Sequence, residues 1–271
     1  MTHWTLDDIA WERFDPRRVD PDLLRVVKAA SLVEHNGGDY ATYLCNVFHD
    51  DPEFQAVARA WAAEEVQHGQ ALGRWARLAD PSWSFDDSFR RFTAGFSLPL
   101  DVSSSVRGSR TGELIARCIV ETGTSSYYAA LGEATSEPVL EQICAKIAAD
   151  ELRHYKLFYT HMKRYQAAER LGPWGRLRAG LGRIVESADD ELAYAYYAAN
   201  AGSASYDRKS YSRAYARRAY GYYRRAHVER AIAMAMKAVG LKPNGRLAPW
   251  LAALAWRLKE HRVRSLARAG A

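Results

Sequence analysis

The sequence predicts an all-α fold: a bundle of four long helices with one long crossover, followed by additional C-terminal helices. Three observations carry this. No alternating apolar/polar pattern lasts more than a few residues, whereas apolar residues recur at helical spacing along most of the chain. Aspartate followed by proline marks helix starts at Asp20-Pro21 and Asp51-Pro52. There the aspartate caps free backbone N–H groups, and proline at the first helical position gives up no hydrogen bond. Finally, 271 residues, 48 % hydrophobic and 26 % charged, suffice for a full buried core.

Taken in order, the first helix is expected over about 21–49, on Leu23, Val26, Val27, Ala30, Val33 and Leu44. A second runs from Asp51-Pro52 to about Leu78 and stops before Asp80-Pro81. Residues 80–108, rich in Pro, Ser, Asp and Gly, form the crossover with one short helix. The third helix spans about 111–134, and the fourth starts near Ser136-Glu137-Pro138 and ends before Leu171-Gly172-Pro173. LGPWGRLRAGLGRI, 171–184, reads as a linker, with helices beyond it near 187–200, 206–239 and 246–267. The chain thus divides into a bundle, 1–170, and a helical extension, 171–271, packing on it.

Charge follows the same division. From residue 171 onward, 19 Lys and Arg face 7 Asp and Glu, a net of +12, while the rest of the chain carries −6. An acidic body with a basic extension suits a surface for an anionic partner, and a solvated basic helix face is the plainer alternative. No apolar run is long enough to span a membrane. MTHWTLDDIAWERF lacks the marks of a secretory signal, and Cys45, Cys118 and Cys144 are widely separated. These features predict a cytoplasmic chain without a disulfide framework.

The chemistry lies in a repeated pattern. Glu34 on the first helix precedes Glu65-x-x-His68 on the second by 31 residues, and Glu121 on the third precedes Glu151-x-x-His154 on the fourth by 30. Spacing i, i+3 puts each Glu and His on one helix face, about 5–6 Å apart at Cβ. Apolar and small neighbours turn Glu34 and Glu121 inward, so four carboxylates and two imidazoles converge on one interior. Buried carboxylates without balancing charge are very costly, and Arg153 points off the ligand face. Two metal ions supply the missing charge, and oxygen and nitrogen donors suit iron or manganese. One Glu from each of two helices and Glu-x-x-His from the other two is the donor set of carboxylate-bridged di-metal bundles.

EEVQHG at 64–69, DELRH at 150–154 and Thr124 three residues after Glu121 carry a named resemblance. Over about residues 20–165 the chain resembles the ferritin-like di-iron carboxylate superfamily, and within it the soluble acyl-carrier-protein desaturases. That resemblance implies a ferritin-like four-helix bundle in which Glu65 and Glu151 bridge two irons (or iron and manganese). Glu34 with His68, and Glu121 with His154, would complete the two ends. It also implies Thr124 beside the oxygen-binding face and Asp150 orienting a histidine. Further implications are O₂ as co-substrate, an external ferredoxin-like electron donor and an acidic acyl carrier protein. The expected reaction is oxidation of a carrier-bound fatty-acyl or similar apolar chain, with desaturation ahead of hydroxylation. Open alternatives are a tRNA-modifying or other small-molecule hydroxylase or N-oxygenase, and an iron-handling ferroxidase; a homodimer is compatible with all.

Other features have two readings each. Asn36-Gly37-Gly38, directly after Glu34, marks either a π-bulge with room for substrate or a tight helix contact. Gly123, Ser125, Ser126, Ala129 and Ala130 offer an apolar slot. Cys118 and Cys144 read as core residues, and Trp4 and Trp11 as core filler with an electron path as the alternative. Tyr211, Tyr215 and Tyr222 interleave with Arg213, Arg217 and Arg224, a surface for an acidic carrier or, less suitably, RNA. The last helix, with Leu247, Trp250, Leu251, Leu254 and Leu258 on one face, packs on the bundle or lies on a membrane surface.

Overall fold

A computed structural model describes residues 3–186, 190–202 and 204–268. Among these are eleven α-helices and no strand, as the periodicity predicts. Asp20 accepts hydrogen bonds from the N–H groups of Asp22 and Leu23 and opens α1, Pro21–His35; α2 follows at Gly37–Val47. Asp51 caps α3, Pro52–Ala79. The crossover holds α4, Phe85–Gly95, capped by Ser84, and leads to α5, Arg110–Ala134. Glu137 caps α6, Pro138–Glu169; this carboxylate is buried and also accepts from Trp75 Nε1 at 2.7 Å. Three single 3₁₀ turns before α1 lie along α6, with the Ala10 N–H on Gln142 and the Asp15 N–H on Glu137.

α1 packs on α3 and α5 on α6, with α3 against α6 closing the four-helix core. Contacts such as Thr124–Glu151 and Cys118–Tyr155 run in opposite chain directions, so α5 and α6 are antiparallel. The interior splits into two apolar clusters, one around Leu72, Trp75, Phe92 and Ile143, the other around Phe48, Phe54, Ile115 and Phe158. The polar metal-type residues lie where the four helices meet.

The structure departs from the expected boundaries in three places. The first helix is two helices, because the chain breaks at Asn36 (φ −80°, ψ 8°). No π-helix forms there; a Cβ on Gly37 would stand 2.7 Å from Glu65 Cβ, so the glycine permits a close α2–α3 contact. The 171–184 stretch is no linker: its residues from 173 on lie within α7, Pro173–Glu186. Its glycines are tolerated because tertiary packing outweighs propensity: Gly180 is buried, and a Cβ there would meet Val239 at 2.6 Å. The expected helix over 206–239 is α9, Arg208–Ala219, a 3₁₀ turn at Tyr220–Tyr222, and α10, Arg225–Ala238. In chain order α8, Asp190–Asn200, comes between α7 and α9, while 187–189 fall outside the described residues; α11 is Leu247–Arg268. α7 and α10 pack on α5, α8 and α9 on α1, and α11 on α10 and α9. Among the described residues no helix is long and apolar enough to cross a membrane.

Candidate metal centre

All six residues of the repeated pattern meet. Glu34, Glu65, His68 and Glu151 form one group and Glu65, Glu121, Glu151 and His154 a second, with candidate donor atoms within 4.8 Å of one another in each. Glu65 and Glu151 are common to both. His68 Nδ1 lies 3.5 Å from Glu65, 3.4 Å from Glu151 and 3.9 Å from Glu34. His154 Nδ1 lies 3.0 Å from Glu65 and 3.7 Å from Glu121 and Glu151.

The donor set fits a metal pair on a structural ground. Glu65 Oε1, Glu121 Oε1, Glu151 Oε1 and both imidazole Nδ1 atoms are buried and make no hydrogen bond. Buried polar atoms left so are costly, and here they crowd around common points. Burial pushes Glu34 and Glu121 well above the usual carboxylate range, and the negative charge of their carboxylate neighbours adds to this. Burial acts the same way on Glu65 and Glu151, but contacts with the two imidazoles, and for Glu65 with Glu34, bring both below it. Burial disfavours charge on His68 and His154 too; the surrounding carboxylates reverse this and raise both. Without metal, protons do the balancing.

A second ring of contacts turns the imidazoles. His68 Nε2 meets Asp150 at 2.9 Å, and His154 Nε2 meets Glu64 at 2.7 Å. Burial raises Asp150, but His68, Arg153 and the Trp4 N–H overcome it and hold the carboxyl below its usual range; Glu64 is likewise lowered by His154 and Arg153. An ionised carboxylate only accepts, so Nε2 carries a proton in either state, and loss of the Nδ1 proton leaves a lone pair aimed at the centre for a metal. Arg153, half-exposed, bridges Asp150 at 2.6 Å and Glu64 at 3.0 Å, off the ligand face as expected. Trp4 Nε1 donates to Asp150 at 2.7 Å, and its ring stacks on His68 at 6.0 Å. Trp4 thus packs partly buried against the apolar core, as the sequence favoured, and is joined to the cluster as well. Trp11 donates to the Leu6 carbonyl under the Arg74 guanidinium and does fill space.

On the other side of the cluster lies a cavity of about 400 Å³. Thr124 lines it and donates to Glu151 Oε2 at 2.7 Å; Tyr128 donates to Glu34 Oε1 at 2.5 Å. Ile119, Val120 and Gly123 form one wall, and Tyr215, Tyr223 and Ile232 from the C-terminal part form another. Of the five small residues expected to form a slot, only Gly123 reaches it; Ser125 instead donates to the Ala148 carbonyl of α6. Cys118 and Cys144 are buried apart from the donor groups, as expected of core residues. Sequence reasoning missed Glu64 and Tyr128. The doubled acidic residue before each E-x-x-H (Glu64-Glu65, Asp150-Glu151) was a signal for the first, and a position two turns after Glu121 for the second.

Fold and cluster define a helical-bundle protein with a candidate dinuclear metal centre beside a cavity. Residues 40–169 match the model of the family described as fatty acid desaturase, and the buried Glu/His cluster fits a di-iron site. The match spans Glu65, His68, Glu121, Thr124, Asp150, Glu151 and His154, leaves Glu34 and Trp4 outside, and implies an oxidoreductase. No curated protein matches the chain.

Proposed function

We propose that this chain is an O₂-dependent di-iron oxidoreductase that desaturates a fatty-acyl or similar apolar chain, presented on an acidic carrier. The observation that carries the reading is the cluster's position, with orphaned donor atoms converging directly beside a cavity of about 400 Å³. Bound iron supplies the oxidising power, drawn from O₂ together with two electrons and two protons from an external donor. In the net reaction two hydrogens leave adjacent carbons, a double bond forms, and two waters are produced.

The chain's own residues have separable tasks. Glu34, Glu65, Glu121, Glu151, His68 and His154 would hold the metals, with Glu65 and Glu151 shared by both donor groups. Asp150 and Glu64 fix the imidazole orientation. Thr124 holds a hydroxyl proton at Glu151 Oε2, on the cavity side of the cluster. The aromatic and aliphatic walls exclude water and align the substrate. A ferroxidase needs no such chamber, which favours an organic substrate.

The test supplies iron-loaded protein with O₂, a reduced ferredoxin and fatty-acyl carrier thioesters. A product lighter by two hydrogens, dependent on O₂ and on reductant, supports the proposal. Oxygen consumption that oxidises only added ferrous iron overturns it.

A further inference from the structure

Two helices of the C-terminal part leave apolar faces uncovered. α11 packs on α10 and α9 through its Ala252 side. Its opposite side carries Leu247, Trp250, Leu251, Leu254 and Leu258; Trp250 is 78 % exposed and Leu258 62 %. Steps of three and four residues make these a single stripe about three turns long. Exposed Arg246, Arg257 and Arg264 flank it. Between 246 and 268, six basic residues face one acid, Glu260.

α7 repeats the arrangement. Ala179 and Gly180 are buried while Trp174, 83 % exposed, Leu181 and Val185 look outward with Arg178 among them. The Arg176 guanidinium lies against Gly240, which sets the first turn of α7 beside the turn leading into α11. Single exposed apolar residues need no explanation, but two tryptophan-bearing stripes at one region of the surface do.

Charge decides between occupants. Pairing α11 with a second copy of itself would set six cations against six, with one acid on each side to offset them. A surface of anionic phospholipid has the opposite sign and takes amphipathic helices of this composition. We propose that α7 and α11 form a peripheral membrane-binding face for anionic phospholipid. Trp174 and Trp250 sit at headgroup depth, the leucines at the acyl boundary, and the arginines on phosphates. The helices lie on the bilayer, since neither is long and apolar enough to cross it. The inference stands on these surface helices and is independent of the metal centre.

Sedimentation of the full chain with phosphatidylcholine vesicles, with and without phosphatidylglycerol, tests it. Binding is expected with phosphatidylglycerol present and to weaken as salt rises. Trp250→Glu with Leu254→Glu should lower binding at least tenfold while helix content and mass by light scattering stay unchanged. Arg257→Ala with Arg264→Ala should lose about fivefold for each arginine that reaches the lipid surface. Failure of the wild-type chain to bind phosphatidylglycerol vesicles, or full binding by the double glutamate variant, overturns the proposal. A wild-type dimer that this variant turns into a monomer also overturns it and assigns the face to a second copy.

Discussion

Glu64 on α3 meets His154 of α6 at 2.7 Å, and Asp150 on α6 meets His68 of α3 at 2.9 Å. Each Glu-x-x-His helix thus orients the imidazole of the other through the acid just before its own glutamate. Removing Glu64 frees the His154 ring and lets either nitrogen carry the proton. Glu64→Ala should therefore weaken metal binding about 10–100-fold with little change in helix content. A competitive chelator titration reads this, and unchanged affinity would count against the orienting role.

Glu65 and Glu151 belong to both donor groups, whereas Glu34 and Glu121 each belong to one. Glu65→Ala or Glu151→Ala should empty both positions, while Glu121→Ala should affect one more than the other. Elemental analysis of purified variants checks the asymmetry; equal retention in all three would contradict shared ligation.

The protonation of the cluster sets the direction of its pH response. Glu34 and Glu121 are raised by burial and by carboxylate neighbours, and His68 and His154 are raised by the carboxylates around them. Metal must displace these protons, so uptake releases protons and affinity grows with pH. The depressed Glu65 and Glu151 hold none to release. As pH falls, loading should fail while still above the usual carboxylate range. Cobalt or manganese titrations at several pH values, in weak buffer with proton release recorded, measure both effects. A pH-independent affinity would refute the assignment.

Much of this was legible in the sequence, and what was not has identifiable causes. The six donors stood out because i, i+3 spacing on apolar helices leaves a carboxylate and an imidazole little choice of direction. Trp4 was opaque because it reaches Asp150 across 146 positions, a contact no local pattern encodes. Ser125 was misplaced by composition alone, since small size does not say which helix face a residue occupies. α7 was hidden by glycines whose value appears only against Val239 and Ile115.

Neighbouring glycines in the break after α1 give a controlled comparison. A Cβ on Gly37 would meet Glu65 Cβ at 2.7 Å and the Ala62 carbonyl at 3.1 Å, whereas one on Gly38 meets nothing within 4 Å. Gly37→Ala should cost about 1–3 kcal/mol through overpacking and disturb a metal ligand directly. Gly38→Ala, in a helix and unobstructed, should be neutral or stabilising by up to about 1 kcal/mol. Thermal unfolding of the two variants decides; equal melting temperatures would mean the α2–α3 contact relaxes freely.

Carrier docking comes down to which arginines remain available on α9 and α10. Arg218 is committed to Asp22 at 2.6 Å and lies over Tyr196, Arg224 pairs with Glu133, and Arg225 with Glu229. Of the alternating tyrosines, Tyr215 turns into the cavity, while Tyr211 and Tyr222 pack partly buried against the apolar core. Arg213 and Arg217 are exposed on α9. Exposed charges steer association and are screened by salt. Arg213→Ala with Arg217→Ala should raise the KM for a carrier-bound substrate, leave kcat and metal content unchanged, and flatten the salt dependence. Arg218→Ala should instead lower the melting temperature, by about 1 kcal/mol of lost pairing and ring contact, without changing the KM. If the Arg213/Arg217 variant keeps the wild-type KM and salt response, the acidic carrier docks elsewhere or the substrate arrives without one.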